Sequence, residues 1–130
     1  MLITTFTNRA LDNIIERTLE RGKIEPDLMI REGNKYSMSE AAQKISYTKT
    51  DIEDIKGYST LFEKKKVWFV TLSSLFIHHI PKQFDVVIVD EASQCLEPMC
   101  LQAIQRGTKF ILIGDYKQLE PVVRQEDAIK

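Results

Sequence analysis

The chain has 130 residues, 43% hydrophobic and 28% charged, the balance of one globular domain, which excludes a disordered or fibrous polymer. No apolar run approaches the ~20 residues of a membrane helix, and the opening MLITTFTNRALD lacks the basic–apolar–small order of a signal peptide, so an intracellular protein with no membrane partner is expected. With 18 basic against 19 acidic side chains, bulk charge argues against a dedicated basic nucleic-acid binder but leaves a local groove open.

In chain order, Leu2–Thr5 is the first β-type run. After Thr7 and Asn8, apolar residues at Leu11, Ile14, Ile15 and Leu19 make one helical stripe that stops at Gly22. Asp12 and Asn13 at its start read equally as a structural feature or a functional one. Residues 23–66 are polar, with helices expected and no signature; Ser37 with Glu40, and Thr50 with Glu53, match the capping box. The second box opens a helix with Ile52, Ile55 and Phe62 on one side. Lys64–Lys66 reads as a solvated helix end or as a phosphate contact.

Val67–Thr71 is the second β-type run, with Trp68 in it as core or as a base-stacking platform. His78 and His79 before Pro81 read as a surface turn. Asp85–Asp90 and Lys109–Gly114 are the third and fourth runs, with a helix between them that has Pro98 in its first turn and ends at Gly107. Three of the four runs are near-continuously apolar, the pattern of parallel strands covered on both faces. The expected fold is α/β: a parallel sheet with helices on both faces. Cys95 and Cys100 have no CxxC partner; a disulfide between them is open, as are reduced thiols packed in the helix, and two thiolates are too few for an iron–sulfur cluster.

The strand VVIV, 86–89, runs straight into Asp90 and Glu91. Open α/β sheets bind ligands beyond the carboxyl ends of their strands. A carboxylate pair there suits Mg²⁺ with a nucleotide, since Mg²⁺ keeps much of its water and takes one or two carboxylates plus phosphate oxygens. One carboxylate would hold the hydrated ion and the other would activate a water for in-line attack on a γ-phosphate. A turn or helix-cap role for one of the pair is the plainer alternative. About 25 residues later KFILIGDYKQLEP, 109–121, again runs apolar into Gly114 and Asp115, with Gln118 and Pro121 at fixed offsets. Gly–Asp alone can be a plain turn; two polar strand ends in one sheet are harder to dismiss.

DEASQ (90–94) followed by GDYKQLEP (114–121) resembles motifs II and III of superfamily-one helicases, in the branch that holds the nonsense-mediated-decay and transcription-termination RNA helicases. LITTFTNRALDNII (2–15) resembles motif Ia of that branch and VWFVTLSSL (67–75) the strand motif called Ic. TTFTNRALDN, IREG (30–33) and EPMCLQAI (97–104) echo its DNA-replication helicase/nuclease family in particular. The resemblance spans essentially the whole chain and is weakest over 35–66. It implies a partial first RecA-like motor domain (a P-loop NTPase fold) over 1–130, with ATP and Mg²⁺ as cofactors. Asp90 would bind Mg²⁺ through water, and Glu91 would be the catalytic base. Gln94, Gly114, Asp115 and Gln118 would lie at the nucleotide, with Gln94 and Gln118 coupling its state to the neighbouring domain. Thr7, Asn8 and Thr71 would touch the sugar–phosphate backbone of single-stranded DNA, or of RNA in the RNA branch. The compartment implied is the nucleus, or the cytoplasm for an RNA helicase. Two departures stand out: QLEP replaces the usual QLPP and puts Glu120 near the phosphate region, and Asn8–Arg9 replaces a His/Ser-type pair.

No G-x-x-x-x-G-K-[ST] occurs among the five glycines, so the loop that cradles β- and γ-phosphates is not in this sequence. In the family it lies just before motif Ia, in a strand beside that of motif III. The expectation is therefore a sheet lacking the P-loop strand, inactive alone, depending on the remainder of the motor, with Phe110–Ile113 as an exposed edge. A non-catalytic interaction module is the alternative from another functional class.

Overall fold

Leu2–Thr5 (β1), Met29–Arg31 (β2), Val67–Thr71 (β3), Phe84–Val89 (β4) and Gly107–Leu112 (β5) pair in the order β2-β3-β1-β4-β5, all parallel. The computed structural model describes residues 1–47, 55–77, 80, 82–115 and 117, and the side chains of all of these except 55–58. The helices are α1 Asn8–Arg21, α2 Glu40–Lys44, α3 Ile55–Lys64, α4 Leu72–Ile77 and α5 Glu97–Ile104.

The sheet separates two apolar layers, because successive strand side chains point to opposite faces. On one face Leu2, Trp68, Val70, Val87 and Val89 pack with Leu72 and Leu75 of α4 and Ala103 of α5, with Leu61 and Phe62 of α3 against them. On the other, Met29, Val67 and Phe69 pack with Leu11 and Ile15 of α1 and Ala42 of α2. Trp68 is fully buried, stacked on Phe62 at 4.7 Å between centroids and edge-on to Phe84 at 6.1 Å, and its Nε1 donates to the Lys65 carbonyl at 3.2 Å. It is core, with no face open to a base.

The α1 boundaries follow the sequence reading. Thr7 is the N-cap, its Oγ1 accepting from the Ala10 N–H at 3.2 Å, and Gly22 closes the helix in the left-handed region at φ 58°. Three expectations are corrected. The cap of α2 is Ser39, whose side chain accepts from Ala42 N–H, while Ser37 ends a short 3-10 turn. The helix containing Pro98 stops at Ile104, and Gly107 opens β5 instead of closing the helix; a Cβ there would lie 2.6 Å from Val87 Cγ2. The stretch 23–66 contains β2 as well as helices. The helix expected from Thr50, Glu53 and Ile52 begins outside the described residues, as do His78, His79 and Pro81.

Since all five strands are parallel, their carboxyl ends share one side of the sheet. The register puts Thr5 beside Thr71, Thr4 beside Val89, and Val89 beside Leu112. Every strand end singled out in the sequence therefore opens on the same edge.

Candidate functional site

β4 hands over to the carboxylate pair without a break in hydrogen bonding. The Asp90 N–H still donates to the Thr4 carbonyl at 2.9 Å, and Asp90 Oδ1 accepts from the Glu91 N–H at 2.9 Å. Glu91 then sits at φ 56°, ψ 34°, the one non-glycine residue at positive φ among the described residues. For a side chain with a Cβ this conformation costs roughly 1–2 kcal/mol, and the surroundings enforce it. Ala92 N–H donates to the Ile113 carbonyl at 2.8 Å, Gln94 N–H to the Glu91 carbonyl at 2.9 Å, and Cys95 Sγ leans on that carbonyl at 3.6 Å.

The end of β5 closes the other side. A Cβ on Gly114 would lie 2.9 Å from the Ser93 nitrogen and 3.3 Å from that of Ala92, so only glycine lets this backbone approach the 90–94 turn. Between the turn and residues 113–115 lies a cleft of about 390 Å³ that Asp90, Glu91, Gln94, Gly114 and Asp115 all line. Glu91 Oε2 is buried and has no hydrogen-bond partner among the described residues. A buried oxygen left without a partner is costly in a structure serving stability alone.

The donor set fits a hard, hydrated cation completed by phosphate oxygens. It offers carboxylates and no thiolate or imidazole, and the described residues include no cluster of three or more His, Cys, Asp or Glu able to cage a metal. Carboxylates of this kind suit Mg²⁺, which takes one or two of them and keeps water on the rest of its shell. Gln118, Glu120 and Pro121 lie outside the described residues; the turn leading to them begins with the Lys117 N–H donating to Asp115 Oδ1 at 2.9 Å.

Next along the same edge are the candidates for nucleic-acid contact. Thr7 and Asn8 are exposed at the amino end of α1. Thr71 is only 5% exposed, and its hydroxyl is engaged with Ser74, donating to Oγ at 3.0 Å and accepting from the N–H at 3.2 Å. It holds the start of α4, a role that its place at a strand end did not reveal. Lys64 pairs with Asp27 at 3.8 Å on the surface, the solvated reading of that basic run. Cys95 and Cys100 are free thiols; burial, then the neighbouring Cys100 and Glu91, push the Cys95 thiol up to about 11.

A feature that the sequence reading passed over is a buried ionic cluster between β2 and α1. Arg31 is fully buried; its Nε faces Asp12 Oδ1 at 3.4 Å and its Nη2 donates to Asn8 Oδ1 at 2.7 Å. Asp12 Oδ2 accepts from the Ser39 N–H at 2.6 Å. Burial lowers the Arg31 pKa from its ordinary value, and Asp12 opposes that fall. The available signal was an arginine ending the apolar run Leu28–Met29–Ile30.

Residues 31–126 match the AAA domain family. The chain is 33% identical over 141 residues to the chicken DNA replication ATP-dependent helicase/nuclease, covering 98% of this chain and 13% of that protein. The fission-yeast protein of the same name is 31% identical over 134 residues, covering 100% and 9% respectively. An ATP-dependent helicase of Methanocaldococcus jannaschii is 51% identical over 45 residues, 35% of this chain. The chain thus spans about a tenth of the length of the helicase/nucleases it resembles from end to end. With a five-stranded parallel sheet of RecA-like kind and a carboxylate turn at its carboxyl edge, the chain belongs to the AAA domain family, among its helicases.

Proposed function

We propose that residues 1–130 form part of the first motor domain of an ATP-dependent DNA helicase of the replication and repair helicase–nuclease type, carrying motifs Ia, Ic, II and III and acting in the nucleus. The observation that carries this reading is Glu91: a residue held in a left-handed turn, with one carboxylate oxygen buried and unpartnered, at the strand end where a metal-bound triphosphate would lie. Strained, under-satisfied residues of this kind cluster at working sites.

In this reading Asp90 would hold hydrated Mg²⁺, which would supply charge neutralisation at the phosphates. Glu91 would orient the attacking water and take its proton on the carboxylate. Gln94 and Gln118 sense the γ-phosphate, while Gly114 and Asp115 form the opposing wall. Thr7 and Asn8 grip the sugar–phosphate backbone of single-stranded DNA with neutral donors, which position a strand without reading its sequence. The names of the end-to-end relatives favour DNA over RNA; unwinding of DNA against RNA duplexes by the complete protein separates the two.

The experiment is Glu91→Gln in the complete protein. Hydrolysis should fall by ~10²-fold or more, the usual contribution of a general base, with nucleotide binding retained; loss of binding instead would mean that Glu91 is not the base. The 130-residue chain alone, with no phosphate-cradling loop in its sequence, should show no steady-state ATP turnover, and turnover abolished by Glu91→Gln would overturn that part.

A further inference from the structure

One peptide plane carries the strained geometry of Glu91. On one side the Ala92 N–H donates to the Ile113 carbonyl at 2.8 Å. On the other the Glu91 carbonyl accepts twice, from the Gln94 N–H at 2.9 Å and from the Cys95 thiol at 3.6 Å. A carbonyl oxygen has two lone pairs, and the thiol fills the one that the backbone leaves open. Cys95 reaches that carbonyl from the core: it is 6% exposed and shares the apolar layer of Leu72, Leu75, Val87, Val89 and Ala103. Cysteine suits both surroundings, since it packs as a small hydrophobe and still carries a weak donor. Burial, the neighbouring Cys100 and the Glu91 charge raise the thiol pKa to about 11, so the donor keeps its proton at neutral pH.

We propose that Cys95 is a positioning residue for ATP hydrolysis: its thiol holds the Glu91 carbonyl from the core, which fixes the left-handed turn and with it the direction in which the carboxylate meets the attacking water. This deepens the proposed function and rests on Glu91 as the base. A left-handed glutamate persists only where its surroundings over-determine it. Here Asp90 Oδ1 holds its N–H, while the Gln94 N–H and the Cys95 thiol hold its carbonyl. Of the three, the thiol belongs to a side chain buried in the core layer, so it passes the rigidity of the sheet to the turn.

The test separates the donor from the packing, in the complete protein. Single-turnover ATP hydrolysis and binding of a fluorescent ATP analogue are measured beside thermal melts of the same samples. Cys95→Val keeps an apolar side chain in the core and removes the donor. Cys95→Ser keeps a donor and puts a hydroxyl in the core. Cys95→Val should hydrolyse about 10-fold more slowly, as for a misplaced catalytic group, with nucleotide affinity unchanged. Cys95→Ser should stay within about 3-fold of the wild-type rate although it melts lower, because its hydroxyl still reaches the carbonyl but is buried among apolar groups. Cys95→Ala, which removes the donor without adding bulk, should repeat the slow hydrolysis and carries the test if Cys95→Val does not fold. Placed on top of Glu91→Gln, Cys95→Ala should slow hydrolysis no further. The reverse order, Cys95→Val at the wild-type rate and Cys95→Ser slowed, makes Cys95 a packing residue; it overturns the inference and leaves Glu91 as the base. Wild-type rates in all three variants overturn it as well. Undiminished hydrolysis in Glu91→Gln overturns the proposed base, and the inference with it.

Discussion

An inner and an outer strand of one sheet behave as if they belonged to different proteins. Around β3, all five residues are buried, between Trp68 and Val70 packed toward α4 on one face and Val67 and Phe69 packed toward α1 on the other. At β5, Phe110 is 54% exposed, Ile111 49% and Leu112 47%, on a strand paired, among the described residues, only through β4. Phe110 and Leu112 neighbour Val87 and Val89, which do lie in the core. Both strands are written in the same apolar alphabet, so hydrophobicity says that a strand wants covering, and the rest of the fold decides whether it is covered.

The contrast predicts very unequal responses to the same kind of truncation. Trp68→Ala removes a fully buried ring that stacks on Phe62 and should cost ~3–5 kcal/mol by urea denaturation, enough to unfold a small domain outright. Phe110→Ala should cost no more than about 0.5 kcal/mol, as for a surface site. Equal losses at the two positions would mean that β5 is covered in solution.

The second break point is the seam where β5 meets the carboxylate turn. Gly114→Ala forces a methyl to within 2.9 Å of the Ser93 nitrogen and should cost ~1–3 kcal/mol by overpacking, read as a lowered melting temperature. Glu91→Gly should act the opposite way, relieving the left-handed strain of about 1 kcal/mol while removing the proposed base. A variant more stable and catalytically dead in the complete protein is the expected pair of results; a destabilised one would show that the Glu91 side chain serves packing.

The exposed end should also make the chain self-associate, since unpaired apolar edges attract one another. Ile111→Lys should lower the apparent mass in sedimentation while moving stability little. A wild-type monomer melting above ~65 °C, beyond the usual range for small domains, would break this part of the comparison. Cys95 gives the smallest effect and the sharpest probe of the covered side. Its thiol pKa is raised in the folded state, so folding favours the protonated form. The stability tied to it is complete below the ordinary thiol range of ~8.5 and is lost as pH rises through about 11. Alkylation of Cys95 at pH 8 should therefore be slow in the native chain and fast in urea, and equal rates would place the thiol in solvent.

Legibility in the sequence followed the same division. β3, β4 and β5 were readable because near-continuous apolar runs ended in polar residues at their carboxyl ends, and the shorter β1, Leu2–Thr5, as a β-type run just before a helical stripe. Asp90, Glu91, Gly114 and Asp115 line one cleft, while Gln118, on which the site reading also rested, lies outside the described residues. β2 was not readable: it is three residues long, follows a 3-10 turn and ends in a buried arginine, so charge disguised a core strand. Asp12 could be read either way until Arg31 was seen opposite it. Ser37 and Gly107 were misassigned for one reason. A capping serine or a helix-stopping glycine is recognised by local spacing, whereas Ser39 is fixed by Asp12 across the fold and Gly107 by Val87 across the sheet.

The hydrogen bond from Ala92 to Ile113 has a mechanical consequence. It rivets the acidic turn to the tail of the outermost strand, so the two move as one lever. Whatever neighbour takes hold of that strand also sets the angle at which the two acids are held out, and docking and chemistry then answer to a single joint.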